Sequence, residues 1–389
     1  MSSTTSAVKM IPVARPSFGR EEEDSILAAL RSGWVSQGPR VAEFESRFAQ
    51  YVGAPHAVAV SSCTAALHLA MRVAGIRQGD EVICPSLSFI ATANAIVHCG
   101  ATPVFADIDE ATYNIDPEAI EAAITPRTKA ILVVHQIGLP AQLDAISEIA
   151  KRHGLLVIED AACAIGAEYQ GHKVGLPYSL MACFSFHPRK ILTTGEGGMI
   201  TTADGALADR MRRVRQHAMG LSDLARHSSS KVMIESYDEV GFNYRMTDLQ
   251  AAVGLVQLQR LDGMLARRRE LAACYSTRLA GLPWMVLPQE PAGCRHNYQS
   301  YMVRLAEGAP ITREQLMQDL LDRGVSSRRG IMAIHHEDPY RNARWEASLP
   351  VTNRVTETSL VLPLFHEMTG VEQDYVVESI ESISSEAAR

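Results

Sequence analysis

What the sequence lacks argues against several protein classes. Its seven cysteines stand at positions 63, 84, 99, 163, 183, 274 and 294 and form no CxxC pair, so neither a disulfide framework nor a zinc cage is indicated. No apolar run reaches the roughly 18 residues that a membrane helix needs. The net charge of −7 does not indicate a nucleic-acid-binding surface. Because residues 1–9 also lack a signal-type apolar core, we expect a soluble cytoplasmic protein that binds neither membrane nor nucleic acid.

The nearest approach to a metal motif is the run His335, His336, Glu337 and Asp338. Such a run beside Pro339 is typical of a polar loop, and no partner with metal-ligand spacing accompanies it. The sequence therefore predicts no metal site.

Short apolar runs alternate with helical patterns from residue 57 to residue 202. The predicted strands cover residues 57–60, 81–84, 103–108, 130–134, 155–159, 183–186 and 199–202. Predicted helices between them cover residues 65–74, 91–98, 117–123 and 143–153. Continuous apolar strands separated by helices favour a mainly parallel, seven-stranded α/β sheet that is covered on both faces.

The composition changes in the second half of the chain. A polar loop is predicted over residues 222–238, followed by a long amphipathic helix over 247–278. A strand at 298–304 and helices at 312–323 and 370–384 indicate a smaller α+β unit. For 389 residues we expect a large domain over 15–262 and a small C-terminal domain over 263–389.

Lys190 and Asp160 are the most informative residues of the chain. Asp160 ends the apolar run 155–158 together with Glu159, and Lys190 follows the strand 183–186 and precedes the Gly-rich turn 195–198. Ligands of open α/β sheets bind at such carboxyl ends. A lysine that forms a Schiff base and a carboxylate that keeps a pyridine nitrogen protonated are what pyridoxal 5′-phosphate (PLP) requires. Burial is expected to lower the pKa of Lys190.

A phosphate cradle is predicted where the first strand meets its helix. Ser62, Cys63 and Thr64 open that helix, whose free N–H groups and positive dipole end favour a phosphate. Ser185, just before the lysine, can add a hydroxyl. An ordinary Ser/Thr helix cap is the alternative interpretation. Phe89, at a strand-to-helix turn, either stacks on a cofactor ring or packs in the core.

Taken together, these segments resemble the DegT/StrS-type sugar aminotransferases, PLP enzymes of fold type I. The similarity extends from about residue 15 to residue 383. It is carried, in chain order, by residues 33–39, 62–67, 85–94, 157–166, 184–190, 195–198, 241–250 and 362–364.

The resemblance implies a role for each matching residue. Lys190 would be the Schiff-base lysine and general acid/base, Asp160 would pair with the pyridine nitrogen, and Phe89 would lie against the ring. Cys63 through its backbone, Ser62, Thr64 and Ser185 would hold the phosphate. Asn243 would reach the neighbouring subunit's phosphate, which implies a homodimer with shared active sites. Ser36, Gln37 and Gly38 match the loop at the substrate entrance.

Two positions depart from the family pattern. Cys163 stands where Gln or His is usual, at a side chain that approaches the ring, and a thiol is a weaker hydrogen-bonding partner. Cys63 stands where Gly is common, and a backbone N–H contact survives this change if φ is negative. The lysine that distinguishes aminotransferases from the histidine-bearing dehydratase branch is present as Lys190.

We therefore expect a PLP-dependent aminotransferase that cycles PLP with pyridoxamine phosphate (PMP). The amino donor implied by the resemblance is L-glutamate, and the acceptor is a keto-sugar, most simply a nucleotide-linked one in amino-sugar biosynthesis. A cyclitol aminotransferase acting on a keto-inositol and a non-catalytic, PLP-binding regulatory protein are the alternatives. Candidate acceptor contacts near the site are His187, Arg215, His217, Arg328 and Arg329, with a surface charge as the alternative for each cation.

Overall fold

The structure, a computed structural model, describes residues 10–175, 178–220, 234–342 and 348–387. The polar loop predicted over residues 222–238 therefore lies largely outside the described residues. Two helices, α1 (Arg20–Ser32) and α2 (Pro39–Val52), precede the first strand. Each ends at a glycine in the left-handed conformation, Gly33 and Gly53, where a side chain would be strained.

A seven-stranded sheet forms the centre of the larger part of the chain. Its strands lie in the order β1-β9-β8-β5-β4-β2-β3, and β9 runs antiparallel to both of its neighbours while the other pairs are parallel. The prediction of a mainly parallel seven-stranded α/β sheet is confirmed. The strands, with the small hairpin β6–β7 inserted after β5, are β1 (His56–Val60), β2 (Glu81–Pro85), β3 (Thr102–Ala106), β4 (Thr128–Val134), β5 (Leu156–Asp160), β6 (Glu168–Tyr169), β7 (His172–Lys173), β8 (Met181–Ser185) and β9 (Gly198–Thr202).

Helices cover both faces of this sheet. On β1, Val58 and Val60 belong to a core with helix α3 (Cys63–Val73), whereas Ala57 and Ala59 pack with α2 on the other face. This alternation follows from the two-residue period of a strand. The remaining helices of this part are α4 (Ala91–His98), α5 (Pro117–Ala123), α6 (Leu143–His153) and α7 (Gly205–Val214).

A 32-residue helix, α8 (Asp248–Leu279), connects the sheet to the C-terminal part. It begins with a capping box in which Thr247 and Gln250 satisfy each other's backbone N–H groups. The C-terminal part has an antiparallel sheet of order β10-β12-β14-β13, and β11 pairs with the β6–β7 hairpin. Its elements are β10 (Met285–Val286), β11 (Cys294–Arg295), β12 (Tyr301–Leu305), α9 (Arg313–Asp322), β13 (Arg328–Arg329), α10 (Pro350–Thr358), β14 (Ser359–Leu362) and α11 (Gly370–Ala387).

The strand predicted from residue 298 begins only at Tyr301. Tyr298 has a φ of 51°, which no strand accommodates, and residues 296–299 form a loop against the sheet instead. Short 3₁₀ helices cover Gln136–Gly138, Ile334–His336 and Asp338–Tyr340. Within the described ranges, no helix is long and apolar enough to cross a membrane, and no cluster of three or more His, Cys, Asp or Glu side chains is arranged to hold a metal ion.

Candidate active site

Asp160 is the last residue of β5 and lies at the carboxyl edge of the sheet with only 6% of its surface exposed. Thr92, in the first turn of α4, donates its hydroxyl to Oδ2 at 2.9 Å, and the Ala162 N–H donates to Oδ1 at 3.2 Å. Burial raises the pKa of Asp160, and the hydrogen bonds from Thr92 and Ala162 and the charge of Lys190 offset only part of that shift. A cationic ring nitrogen would satisfy this carboxylate, so the residue fits the pyridine end of PLP.

Lys190 lies in the turn after β8, and its Nζ is 3.1 Å from the Sγ of Cys163. Burial lowers the pKa of Lys190, but the Cys163 thiol, together with Cys63 and Asp160, raises it by more, so the net shift is upward. The expectation of a lowered pKa is therefore wrong, because it considered burial alone. Lys190, Cys163 and Asp160, which come from two different strand ends, form one cluster.

The start of α3 is capped by a side chain and lies close against β9. Ser62 is the N-cap of α3, and its Oγ accepts a hydrogen bond from the Ala65 N–H at 3.1 Å. A Cβ added to Gly198 would lie 2.6 Å from the Ser62 carbonyl oxygen, so β9 can approach this turn only because residue 198 is glycine. The Ser/Thr cap interpretation thus holds for Ser62, and it leaves the N–H groups of Cys63 and Thr64 at the helix start.

The Sγ of Cys63 lies 3.8 Å from the carbonyl oxygen of Cys183. Burial raises the pKa of the Cys63 thiol well above its ordinary value, and the nearby Asp160 adds to the shift. Residue 63 can therefore contribute to an anion site through its backbone, as the resemblance implies. Ser185, at the end of β8 opposite Gly198, is half-buried beside the same turn.

Phe89 projects from the turn before α4 with 62% of its surface exposed. The alternative that this ring packs in the core is wrong. An exposed aromatic ring one turn before Thr92, the residue bonded to Asp160, is available to a planar ligand held by that carboxylate.

The predicted entrance loop is tied to the first turn of α8. The Asp248 carboxylate accepts hydrogen bonds from the N–H groups of Gly38, Arg40 and Val41, and the Asp248 N–H donates to the Ser36 carbonyl at 2.8 Å. The Gln37 Oε1 is buried and has no hydrogen-bond partner among the described residues.

The predicted acceptor contacts do not form one group. Arg215 is buried, with 4% exposure, and its guanidinium pairs with Glu45 and donates to the Ala59 carbonyl. Placing it at the site mouth was therefore wrong, because a buried carboxylate already neutralises its charge. His217, with a φ of 64°, and the exposed Asn243 lie on neighbouring segments joined by backbone hydrogen bonds.

Arg328 and Arg329 are exposed on β13, and Arg329 lies 3.6 Å from Glu337. Burial and then the charge of Arg328 lower the pKa of Arg189, so Arg328 lies near the turn that carries Lys190. Burial and the charge of Arg189 likewise lower the pKa of His187 in that turn. The charge of Arg328 thus reaches the lysine turn, in which His187 itself lies.

Three residues that hold this site were not found from the sequence. They are Thr92, which bonds Asp160, and the buried Asn297 and Gln299, whose side chains bond the backbone around Cys163 and Lys190. Thr92 stands in a segment that the family resemblance covers, which is the signal that could have found it. The sequence around Asn297 and Gln299 has a strand-like pattern. The hydrogen-bond partners of both side chains are more than 100 residues away in the sequence.

Comparison with known proteins shows the family of this chain. The model of the DegT/DnrJ/EryC1/StrS aminotransferase family matches residues 16–381. The spore coat polysaccharide biosynthesis protein SpsC of Bacillus subtilis is 43% identical over 378 residues, which cover 96% of this chain and 97% of SpsC.

Solved structures with the same fold bear on chemistry as well. PseC of Helicobacter pylori, an aminotransferase involved in the biosynthesis of pseudoaminic acid, is 27% identical with a TM-score of 0.91, over 97% of this chain and 100% of PseC. Spr1654 of Streptococcus pneumoniae has been solved in PLP and PMP forms. The PMP form is 28% identical with a TM-score of 0.91, over 97% of this chain and 100% of that chain. The chain belongs to the DegT/DnrJ/EryC1/StrS family and is a PLP-dependent sugar aminotransferase.

Proposed function

We propose that this enzyme transfers the amino group of L-glutamate to a nucleotide-linked keto-sugar in amino-sugar biosynthesis. The observation that carries the proposal is the convergence of Lys190 Nζ, the Cys163 thiol and the Asp160 carboxyl at one edge of the sheet. The similarity to SpsC, a spore coat polysaccharide biosynthesis protein, and to PseC supports a sugar acceptor.

Lys190 is proposed to move the proton between the two carbons whose bonding changes in transamination. PLP, when bound, supplies an electron sink for the substrate carbon that loses this proton. The lysine can hold or release a proton at Nζ because Cys163, 3.1 Å away, is a partner for the ammonium form. Asp160 is proposed to keep the ring nitrogen cationic, and a cationic partner would in turn offset the burial that raises the pKa of this carboxyl.

The remaining residues are proposed to bind and orient. Phe89 would cover one face of the ring, while the backbone of Cys63 with Ser62, Thr64 and Ser185 would hold the phosphate at the start of α3. Asn243, exposed beside this turn, is proposed to act on the phosphate of a second subunit in a homodimer. We place the dimer in the cytoplasm.

For the acceptor, we propose that Arg328 contacts its diphosphate and that Ser36, Gln37 and Gly38 border its entrance. Arg328 is exposed and lies near Arg189 in the lysine turn, and two adjacent cations favour a polyanion. The Oε1 of Gln37, which accepts no hydrogen bond from the described residues, is proposed as an acceptor for a ligand hydroxyl. Arg329 and His217 are weaker candidates, since Arg329 already faces Glu337.

The test is the visible absorption spectrum of the PLP-loaded enzyme before and after L-glutamate. In the wild type and in Lys151→Ala, a control on helix α6, we expect the yellow band to bleach when L-glutamate is added. In Lys190→Ala we expect the band to be absent from the start. Nucleotide-linked keto-sugars, free keto-sugars and keto-inositols are then added to the bleached enzyme. Return of the band with a nucleotide-linked keto-sugar alone, weakened in Arg328→Gln, supports the proposal, and return only with a keto-inositol or a free sugar contradicts it.

A further inference from the structure

The turns that carry Cys163 and Lys190 follow different strands, and neither turn is part of the sheet. Residues 161–166 follow β5, and residues 186–192 follow β8. Hydrogen bonds between strands therefore do not fix the distance between the two side chains. The loop of residues 296–299, which precedes β12, lies against both turns and makes the fixing contacts.

Asn297 holds the cysteine turn. It is fully buried, and its Nδ2 donates to the carbonyl oxygens of Cys163 at 2.7 Å and Ile165 at 2.9 Å. Its Oδ1 accepts from the Gln299 N–H at 2.8 Å, so every polar atom of the side chain has a partner. Gly138 is required beside it, because a Cβ there would lie 1.7 Å from this Oδ1.

Gln299 holds the lysine turn on both sides of Lys190. Its Oε1 accepts from the Ile191 N–H at 3.1 Å, and its Nε2 donates to the Arg189 carbonyl at 2.7 Å. The side-chain amide thus pairs with the two peptide groups that flank the lysine. Gln299 is only 8% exposed, so loss of its amide leaves the buried Ile191 N–H without this partner and also removes the hydrogen bond to the Arg189 carbonyl.

Helix α8 fixes the loop itself. Arg268 donates to the carbonyls of Tyr298 and Gln299 at 2.9 and 2.8 Å. Arg269 donates to the carbonyls of His296 and Gly166, at 3.0 and 3.1 Å, and so ties the loop to the cysteine turn a second time. Tyr298 adopts a φ of 51°, an unfavourable conformation for a non-glycine residue that persists because these contacts determine it.

We infer that Asn297 and Gln299 are positioning residues that set the spacing of Lys190 from Cys163 and Asp160. The inference rests on the proposed role of Lys190 but not on the identity of the donor or the acceptor. Gln299 does not contact the reacting atoms in this arrangement, and it acts through the backbone of residues 189–191.

The test compares the affinities of the cofactor-free, full-length enzyme for PLP and for PMP. Both ligands use the same ring and phosphate contacts, but only PLP requires a bond to Lys190. In Gln299→Leu we expect the PLP affinity to fall by about tenfold, the effect of one lost buried hydrogen bond, and the PMP affinity to stay within about twofold. If the leucine variant folds poorly, the test is repeated with Gln299→Met, because methionine has an unbranched side chain of similar length.

The matched control is Gln373→Leu on helix α11. Gln373 is equally buried and donates its Nε2 to the Leu271 carbonyl at 2.7 Å, far from the lysine turn. The Gln373→Leu variant should leave the ratio of the PLP and PMP affinities unchanged. Amide hydrogen exchange without cofactor gives a second readout, because the Ile191 N–H should exchange faster in Gln299→Leu and at the wild-type rate in Gln373→Leu.

An unchanged affinity ratio and unchanged exchange at Ile191 would overturn the inference and leave the role of Lys190 intact. Equal losses of PLP and PMP affinity would also overturn it, because they indicate general damage to the pocket. If Lys190→Ala keeps the wild-type absorption band, the assignment of Lys190 fails, and this inference fails with it.

Discussion

At the scale of single residues, the charge of Asp160 depends on a hydroxyl. Thr92 is fully buried and forms a short chain of hydrogen bonds, with its Oγ1 2.7 Å from the Ser88 Oγ and 2.9 Å from Asp160 Oδ2. Because burial raises the pKa of Asp160, each donor that it keeps favours the ionised form. A carboxyl that became neutral at working pH would no longer hold a cationic ring nitrogen.

Replacing Thr92 with valine should weaken cofactor binding. The variant keeps the shape of the side chain but removes the donor, so the pKa of Asp160 rises further and the affinity for PLP should fall by about tenfold. The affinity is measured by titrating the cofactor-free enzyme. Thr201→Val is the control, because Thr201 is equally buried and donates to the Gly175 carbonyl at 3.1 Å, away from the ligand. Equal losses in both variants would contradict the role given to Thr92.

The position of a site residue could be predicted from the sequence where it follows from a local pattern, and not where it depends on a contact with a distant residue. Lys190 and Asp160 follow strand ends, and a strand end is a local pattern. The position of Arg215 was missed because its partner, Glu45, is 170 residues away in the sequence, and the net pKa shift of Lys190 was missed because Cys163 was not known to be adjacent. Contacts at such separations depend on the three-dimensional fold, which no local pattern contains.

At the scale of elements, the start of α8 also caps α2. The Asp248 carboxylate is fully buried and accepts from Gly38 at 2.8 Å, Arg40 at 3.1 Å and Val41 at 3.0 Å. A carboxylate at a helix N-terminus also interacts favourably with the helix dipole. The entrance loop of residues 36–38 therefore takes its position from a helix about 200 residues later in the chain.

Asp248→Asn should destabilise the protein by about 1 to 2 kcal/mol. The amide can still accept from two N–H groups, but its NH₂ then faces a donor and the negative charge is lost. Urea unfolding gives the free energy. Asp116→Asn is the control, since Asp116 accepts from the Glu118 N–H as an exposed N-cap of α5 and asparagine caps a helix equally well there. If Asp248→Asn lowers the free energy of unfolding by no more than Asp116→Asn does, the capping role given to Asp248 is wrong.

The elements that were predicted best are those with a long, regular pattern. The helix expected over residues 247–278 is Asp248–Leu279, and all seven strands of the main sheet were predicted to within a few residues. The strand expected from residue 298 begins three residues later, at Tyr301. The backbone conformation of Tyr298 is set by arginines of α8 rather than by its own neighbours in the sequence.

At the scale of the whole molecule, α8 belongs to two cores. Leu258 and Leu261 pack with α2 and the main sheet, whereas Leu271 and Tyr275 pack with the C-terminal sheet. The division into domains 15–262 and 263–389 stays a prediction, and its boundary falls within this helix. Because one continuous helix contributes to both cores, acid or heat that loosens one core also affects the other.

Three histidines, the buried His68 and His296 and the half-buried His366, should make the folded molecule sensitive to acid. Burial, with nearby cations, lowers the pKa of His68 to about 4, of His296 to about 3 and of His366 to about 4. Between these values and the ordinary value near 6.5 the unfolded chain binds more protons, so the free energy of unfolding falls as the pH falls through this window. Each histidine should cost about 2 kcal/mol at pH 5 relative to pH 7.5.

Urea unfolding at the two pH values measures this loss. His68→Phe, which keeps a ring against Phe242 and Tyr244, should reduce the loss by about 2 kcal/mol, whereas His172→Gln, at an exposed position, should not change it. An identical loss in wild type and His68→Phe would show that His68 is protonated in the folded state at pH 5.

The antiparallel strand β9 has a consequence for the nascent chain. Among the described strands, β1, which leads into the turn at Ser62, pairs with β9 alone, and Val60 lies opposite Gly198. During synthesis at roughly 5–20 residues per second, β1 is made roughly 7 to 28 s before its partner strand. The turn between β1 and α3 therefore reaches its final form late, once β9 has been made and has paired with β1. Binding of the cofactor to the growing polypeptide must wait until translation has passed β9.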